Sequence, residues 1–313
     1  MKPTDAQPKL SIILPCLNEA SHIAASVDTI VAVLEAMPID FELILIDDGS
    51  SDATWSEFGR IAEKHAGVQA ISLSRRFGKE QALCAGLEAA RGQAAILMDA
   101  DLQHPPSLIP EMVRLWETED VDVVEAKKSD RGDESWLART QAKLFYSMLR
   151  RVSGFDLAGA SDFKLLDRKV IDAWAQLPER NLFFRGMSAW LGFRRREVYF
   201  SVEERAGGAS GWSLASLLRL AVTGITAFSS APIHVVTGLG LVFLAFALIL
   251  GCQTLYNWIS GVANDGFTTV ILLVLITGSS IMIGLGVIGT YVSRIYNEVK
   301  GRPRYLVRER IES

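Results

Sequence analysis

The residues of this sequence best suited to chemistry are carboxylates that recur where apolar runs end. Asp99 and Asp101 alternate in MDADLQH, and Gln103 follows shortly after. Alternate side chains on an extended segment share a face, so two carboxylates and an amide oxygen could meet one ion. Hard divalent cations take oxygen ligands, and Mg2+ is commonly held by carboxylates together with substrate phosphates. Such an ion would neutralise a departing diphosphate. Two more apolar runs end in a similar way. LSIILPCLNE brings Pro15, Asn18 and Glu19, and FELILIDDGS brings Asp47 and Asp48. Asp48-Gly49-Ser50 on its own also describes a turn with a helix cap. Several acidic ends in one cleft are harder to read as turns, because like charges repel unless a cation or hydrogen-bond donors stand between them. Asp120-Val-Asp122 enters an apolar run instead of leaving one, and is expected on a solvated loop at the opposite edge.

The elements that must position these residues are legible as alternation. Strands are expected at 10–14, 41–47, 68–73, 93–99 and 121–126, with helices near 19–36, 52–65 and 79–90 and one opened by Pro105-Pro106. Short apolar runs spaced by helices predict an α/β domain with a mainly parallel sheet covered on both faces. In such sheets ligands bind beyond the carboxyl ends of the strands.

The second half is of another kind. Of the 313 residues 22% are charged, yet mean hydropathy is positive, and position resolves the conflict. Residues 231–256 and 267–292 contain no Lys, Arg, Asp or Glu, and each stretch exceeds the ~20 residues that cross a bilayer core. Buried soluble helices seldom run so long without a charge. The GLGVIG at 284–289 has the spacing of a dinucleotide fingerprint, but it lies inside the second stretch, where close helix packing through small residues explains it better. The intervening loop carries Asp265 and no Lys or Arg, whereas Arg294, Lys300, Arg302, Arg304, Arg308 and Arg310 follow the second stretch. The positive-inside rule places that tail in the cytoplasm, and two crossings return the chain to the side it left. The three cysteines have no metal spacing, and MKPTDAQPKL has no apolar core, so a reducing compartment and no secretory signal are expected. The net charge of −4 argues against a general nucleic-acid partner.

Between the halves, Trp136, Leu137, Thr140, Leu144, Met148 and Val152 recur at helical spacing beside Arg139, Lys143, Arg150 and Arg151. That pattern suits a helix lying in the headgroup layer, or an ordinary amphipathic helix on the soluble core. The expected organisation is a cytoplasmic domain over 1–210 with its interface helix at 134–152, a juxtamembrane helix over 211–230, and a span pair with its tail over 231–313.

The ordered set PCLNE, LILIDDGSSDAT, RRFGKEQALCAGLEAARG, MDADLQHPP, SDFKLLDRKV, PERNLFFRGMSAWLG and IGTYVSRIYNEVKGRPRY resembles the polyprenyl-phosphate glycosyltransferases of glycosyltransferase family 2. These include dolichol-phosphate mannose synthases and, more closely, bacterial undecaprenyl-phosphate (bactoprenol) glucosyltransferases and their aminoarabinose-transferring relatives. The resemblance covers nearly the whole chain. It implies a GT-A, Rossmann-like domain in which Pro15, Asn18, Glu19, Asp47, Asp48 and Asp99 line the nucleotide pocket. It implies Mg2+ or Mn2+ on Asp99, Asp101 and Gln103, with Asp101 and Asp162 as the catalytic acids and Asp162 near sugar and acceptor. Arg131, Arg139, Lys143 and Arg205 match positions associated with the acceptor phosphate or donor diphosphate. The implied partners are a nucleotide-sugar, with UDP-glucose favoured by PERNLFFRGMSAWLG, a polyprenyl phosphate, the bilayer of the inner membrane, and further copies of the chain. Relatives often have Lys where Gly211 stands and Glu where Thr290 stands, so one basic contact is missing here. A processive polysaccharide synthase would carry Q-x-x-R-W and more spans. A non-catalytic membrane component would not need Asp99, Asp101 and Gln103.

Overall fold

A computed structural model describes residues 7–128, 161–177, 184, 189–200, 231–261 and 267–312. The chain divides into two compact units: Met1–Arg150, Phe155–Gly211 and Pro303–Ser313 form the first, Arg151–Gly154 and Trp212–Arg302 the second. The expected helices at 134–152 and 211–230, the basic residues Arg131, Arg139, Lys143 and Arg205, and Gly211 lie outside the described residues.

The first unit is built on a sheet of eight strands among the described residues. In chain order these are β1 (Leu10–Cys16), β2 (Phe41–Asp47), β3 (Val68–Leu73), β4 (Ala94–Leu97), β5 (Val123–Lys128), β6 (Lys164–Asp167), β7 (Arg195–Phe200) and β8 (Val307–Ile311). Helices α1 (Ile23–Glu35), α2 (Thr54–Lys64), α3 (Lys79–Ala89), α4 (Ile109–Thr118) and α5 (Arg168–Ala175) alternate with them. The spatial order is β7-β5-β6-β4-β1-β2-β3-β8. Strands β4, β1, β2 and β3 run parallel, as their continuous apolar runs require: Leu10, Ile12, Ile13 and Leu14 are all buried, which needs cover on both faces.

The flanks depart from the expected parallel arrangement. β5 does not adjoin β4; β6 lies between them, antiparallel to both. This inversion positions the site. An antiparallel strand begins where its neighbour ends, so the residues that lead into β6 stand at the carboxyl edge of β4. Leu97 pairs with Lys164 in that ladder, and continuing the register sets Asp99 across from Asp162.

The basic tail also takes an unexpected course. β8 pairs antiparallel with β3 and becomes an edge of the eight-stranded sheet. Trp55 Nε1 donates to Glu309 Oε2 at 2.9 Å, Tyr305 Oη to Glu88 Oε2 at 2.6 Å, and the Ser74 N–H to the Leu306 carbonyl at 2.8 Å. VRERI has three consecutive charges, Arg308, Glu309 and Arg310, so a reading based on apolar runs passes over the strand.

The second unit contains α6 (Ala231–Ile259) and α7 (Phe267–Val299). Each carries a segment long and apolar enough to cross a membrane, Pro232–Asn257 and Leu273–Val299. Leu241, Val242, Leu248 and Ile249 on α6, and Val274, Leu275, Ile281 and Met282 on α7, are exposed. Two such surfaces far exceed the apolar patches soluble proteins leave in water. Within this unit a Cβ on Gly284 would stand 3.0 Å from Val236 Cγ1, so the first glycine of GLGVIG serves close helix packing, whereas Gly286 and Gly289 face open space. Thr290 donates its hydroxyl to the Gly286 carbonyl one turn earlier, at 3.0 Å, and thereby satisfies its polar group inside the helix.

In the first unit α3 lies so close on the sheet that a Cβ at Gly86 would be 2.3 Å from Ile13 Cγ2. Gly86→Ala should therefore destabilise the protein by about 1–3 kcal/mol through overpacking. In an Ile13→Ala background most of that cost should vanish, which thermal melts of the full chain in detergent would measure as a double-mutant cycle.

Candidate active site

Three loops at the carboxyl edge of the sheet build the site, and each is tied down by its own side chains. After β2, Asp47 is fully buried; its Oδ1 accepts the Ser50 N–H at 2.8 Å and its Oδ2 accepts the Ser72 hydroxyl at 2.9 Å. Asp48 turns to the loop between β3 and α3. Its Oδ1 accepts the Phe77 N–H at 2.7 Å and its Oδ2 the Gly78 N–H at 2.9 Å. Burial pushes the Asp48 carboxyl above its usual range, with these two donors opposing the shift. Gly49 has φ +72°, and a Cβ there would fall 2.4 Å from the Arg75 carbonyl carbon, so only glycine lets the two loops touch. The loop after β1 is latched to the same place: Asn18 Oδ1 accepts the Ser51 N–H at 2.9 Å, and the Glu19 N–H donates to Thr54 Oγ1 at 2.9 Å. Pro15 pairs with Ile46 in the ladder, beside Cys16 and Asp47.

The D-x-D segment is a turn in the structure, not the extended exit that alternation suggested. Leu102 has φ 57°, a left-handed conformation that is unusual for a branched residue, and the Gln103 N–H donates to Asp101 Oδ1 at 3.1 Å. Asn18, at φ 58°, shows the same strain in the loop after β1. Backbone strain of this kind persists where the surroundings over-determine it, and it concentrates at functional sites. Among the described residues no three His, Cys, Asp or Glu side chains form a ready metal cage. Asp99 and Asp101 nevertheless offer hard oxygen donors, which suits an ion that takes its remaining ligands from phosphate and water.

At the centre Asp99 and Asp162 share a lysine. Lys79 Nζ lies 2.5 Å from Asp99 Oδ1 and 2.7 Å from Asp162 Oδ2. Burial works against this ammonium, but Asp162 and Asp99 outweigh it and hold the lysine above its ordinary value. Behind Asp99 sits His104, buried and stacked on Phe163 at 5.1 Å between ring centroids. Its Nδ1 accepts the Asp99 N–H at 3.3 Å, so the imidazole is the neutral Nε2–H tautomer, and desolvation keeps its pKa low. The Cys16 thiol senses the convergence: burial raises its pKa, and Glu19, Asp47 and Asp99 raise it further.

The sequence thus named the acids but not the groups that reconcile them. Lys79 and His104 sit inside the family's motifs, yet nothing in their spacing shows which carboxylate they meet. Asp120-Val-Asp122 needs correction. Asp122 is buried, with Lys169 Nζ 2.6 Å from its Oδ1 and the Arg194 N–H 2.9 Å from its Oδ2, and Asp120 pairs with the Arg194 guanidinium. Asp122 is a clasp joining the entries of β5 and β7 to α5, whereas Asp120 is solvated, as expected.

Acidic loops at the carboxyl ends of β1, β2 and β4, with a further acid carried in by an antiparallel strand, define a GT-A glycosyltransferase. The same fold occurs in mannosyl-3-phosphoglycerate synthase from Rubrobacter xylanophilus, at a TM-score of 0.50 and 20% identity over 70% of this chain and 72% of that one. The Glycosyl transferase family 2 description matches residues 11–174. An uncharacterized glycosyltransferase of Synechocystis is 39% identical over 96% of this chain and 94% of its own length. The bactoprenol glucosyl transferase of Shigella phage SfII is 36% identical over 96% and 98%. The chain belongs to glycosyltransferase family 2 and is a glycosyltransferase.

Asp48→Ala should leave the Phe77 and Gly78 amides without their acceptor and cost about 1–3 kcal/mol. Hydrogen exchange should speed up at those two amides while the amides of β1 stay protected.

Proposed function

We propose that this enzyme transfers a sugar from a nucleotide-sugar to a polyprenyl phosphate at the cytoplasmic face of the inner membrane, with UDP-glucose as donor and inversion at the anomeric carbon. The observation that carries the membrane part is the course of the chain. Strands β1 to β7 precede α6 and α7, and β8 follows them, yet β8 pairs with β3 in the same sheet. Whatever α6 and α7 cross, they must cross an even number of times. That supports a two-span hairpin with both termini on the catalytic side, and the arginine-rich tail supports the cytoplasm as that side. The lipid acceptor and the glucosyl donor are supported by relatives that bear the name bactoprenol glucosyl transferase across nearly their whole length.

The acceptor phosphate is already a nucleophile. As a monoester with a second pKa near 6 it is mostly a dianion at neutral pH, so no strong base is needed. Its oxygen attacks the anomeric carbon as the bond to the donor diphosphate breaks, and the nucleoside diphosphate departs. Asp99, Asp101 and Gln103 would hold Mg2+ or Mn2+, which supplies charge neutralisation for the leaving diphosphate. Asp162, on the β6 side of the same edge, orients a sugar hydroxyl or steadies positive charge developing at the ring. Pro15, Asn18 and Glu19 border the nucleotide; Asp47 and Asp48 shape that border through their loop bonds. Arg131, Arg139, Lys143 and Arg205 are assigned to the phosphates, and further copies of the chain to the assembly.

Purified full-length enzyme given polyprenyl phosphate and a panel of nucleotide-sugars should use UDP-glucose best. Asp101→Ala or chelation of divalent ions should lower transfer by about a hundredfold or more, with membrane insertion unchanged; full activity in either case would refute the metal assignment. In a Cys252→Ser background, an impermeant maleimide should label Ser260→Cys in intact cells and Ser313→Cys only after lysis. The reverse pattern would overturn the topology.

A further inference from the structure

The Lys79 ammonium is the feature of the site that the proposed transfer leaves without a task. It is no chance contact of a long side chain. Lys79 is the first residue of α3, and the backbone just before it is fixed by Asp48, which accepts from Phe77 and Gly78. Gly78 itself, at φ 106°, makes the bend that starts the helix. The next residue, Glu80, accepts the Phe184 N–H at 2.8 Å. At the helix's other end Glu88 is held by Tyr305 and lies near Arg304. Helix α3 is therefore pinned at both ends, and its first side chain reaches between two acids that belong to different strands.

Those acids repel each other, and Lys79 is the cation they share. The β4–β6 ladder sets Asp99 and Asp162 at one edge, where two carboxylates without a shared cation repel and one tends to take up a proton. A tethered ammonium removes that penalty before any ligand arrives. It also occupies Asp99 Oδ1, one of the two oxygens that this carboxylate could offer a metal. A divalent ion on Asp99 and an ammonium on the same carboxylate repel, so the ammonium weakens the hold on the ion for as long as it stays.

We propose that Lys79 is a positioning residue: it holds Asp99 and Asp162 together in the donor-free enzyme and yields Asp99 to the incoming divalent cation, while keeping Asp162. It sets the cost of metal binding and the placement of Asp162 at once. This rests on Asp99 being a metal ligand in the proposed transfer.

The test measures Mn2+ binding by electron paramagnetic resonance on full-length enzyme in detergent, with no donor present, alongside steady-state kinetics and thermal melting. Lys79→Met should bind Mn2+ about fivefold more tightly, the worth of a partly exposed ion pair, because the competing ammonium is gone. Its kcat should fall by about a hundredfold through misplacement of Asp162, with the donor KM within about threefold. Lys79→Arg retains the charge and should keep wild-type Mn2+ affinity within about twofold and recover much of kcat. Unchanged or weaker Mn2+ binding in a folded Lys79→Met protein overturns the proposal, as does Mn2+ binding by Lys79→Arg as tight as by Lys79→Met. Should Lys79→Met not fold, the Arg variant against wild type, with Lys79→Gln in place of Met, decides the same question. Asp101→Ala separates the two readings. If it weakens Mn2+ binding and Lys79→Met does nothing, the metal site stands and the Lys79 role falls. If Asp101→Ala leaves Mn2+ binding intact, the metal reading itself falls.

Discussion

Carboxylates crowd one edge of this sheet, and the protein must store them close together. Such storage is unfavourable unless each acid has a partner. The structure partners them in different ways. Asp47 is buried and fully occupied by Ser50 and Ser72. Asp48 is spent on two backbone amides. Asp99 and Asp162 share Lys79. The acids that end β2 are thus engaged in holding loops, whereas Asp99 and Asp162 are held by a side chain on a helix. One sheet edge is graded from scaffold to site within a few residues.

The tail ties this edge to the far end of the sequence. By pairing with β3 and gripping Glu88, β8 and the residues before it brace α3 at the end away from Lys79. Helix α3 therefore answers to Asp48 at its start and to Tyr305 at its end. The two apolar helices lie between β7 and β8 in sequence, so folding of the catalytic sheet is complete only once the chain has passed through them. A truncated domain ending before α6 would lack an edge strand and expose β3, a long apolar strand, along its unpaired side.

How much of this was legible follows from burial and sequence separation. Strands β1 to β4 were readable because a strand covered on both faces must be an unbroken apolar run, and LSIIL, FELILID, VQAISL and AAIL are such runs. The acids that end three of them were readable for the same reason. β6 was not, because KLLD is short and opens with a charge; β8 was not, because VRERI is mostly charged. Lys79 and His104 escaped because their significance is a contact across the fold, to Asp162 and to the Asp99 amide, that no local spacing encodes. Asp122 was misread for a related cause: its partners Lys169 and Arg194 come from later elements, and without them an acid before a strand looks solvated. The two long apolar helices needed no contacts to be read, since an unbroken run of that length and composition shows them by itself.

Because β6 brings Asp162 to the site, the register of that short strand matters more than its length suggests. Four residues of ladder are a weak specification by themselves, and a slip by one would turn every side chain to the other face. Lys164 removes the ambiguity. It is buried, with 1% of its side chain exposed, and lies 3.1 Å from the equally buried Glu125, its register partner on β5. Burial pushes the Lys164 ammonium down from its usual range, and Glu125 opposes that shift. A one-residue slip would leave a charge buried without its counter-ion, a penalty of several kcal/mol. The same slip would move Asp162 out from opposite Asp99. A buried ion pair that adds little net stability thus fixes which residue ahead of β6 faces Lys79, and the electrostatics of the core decide the geometry of the acidic edge.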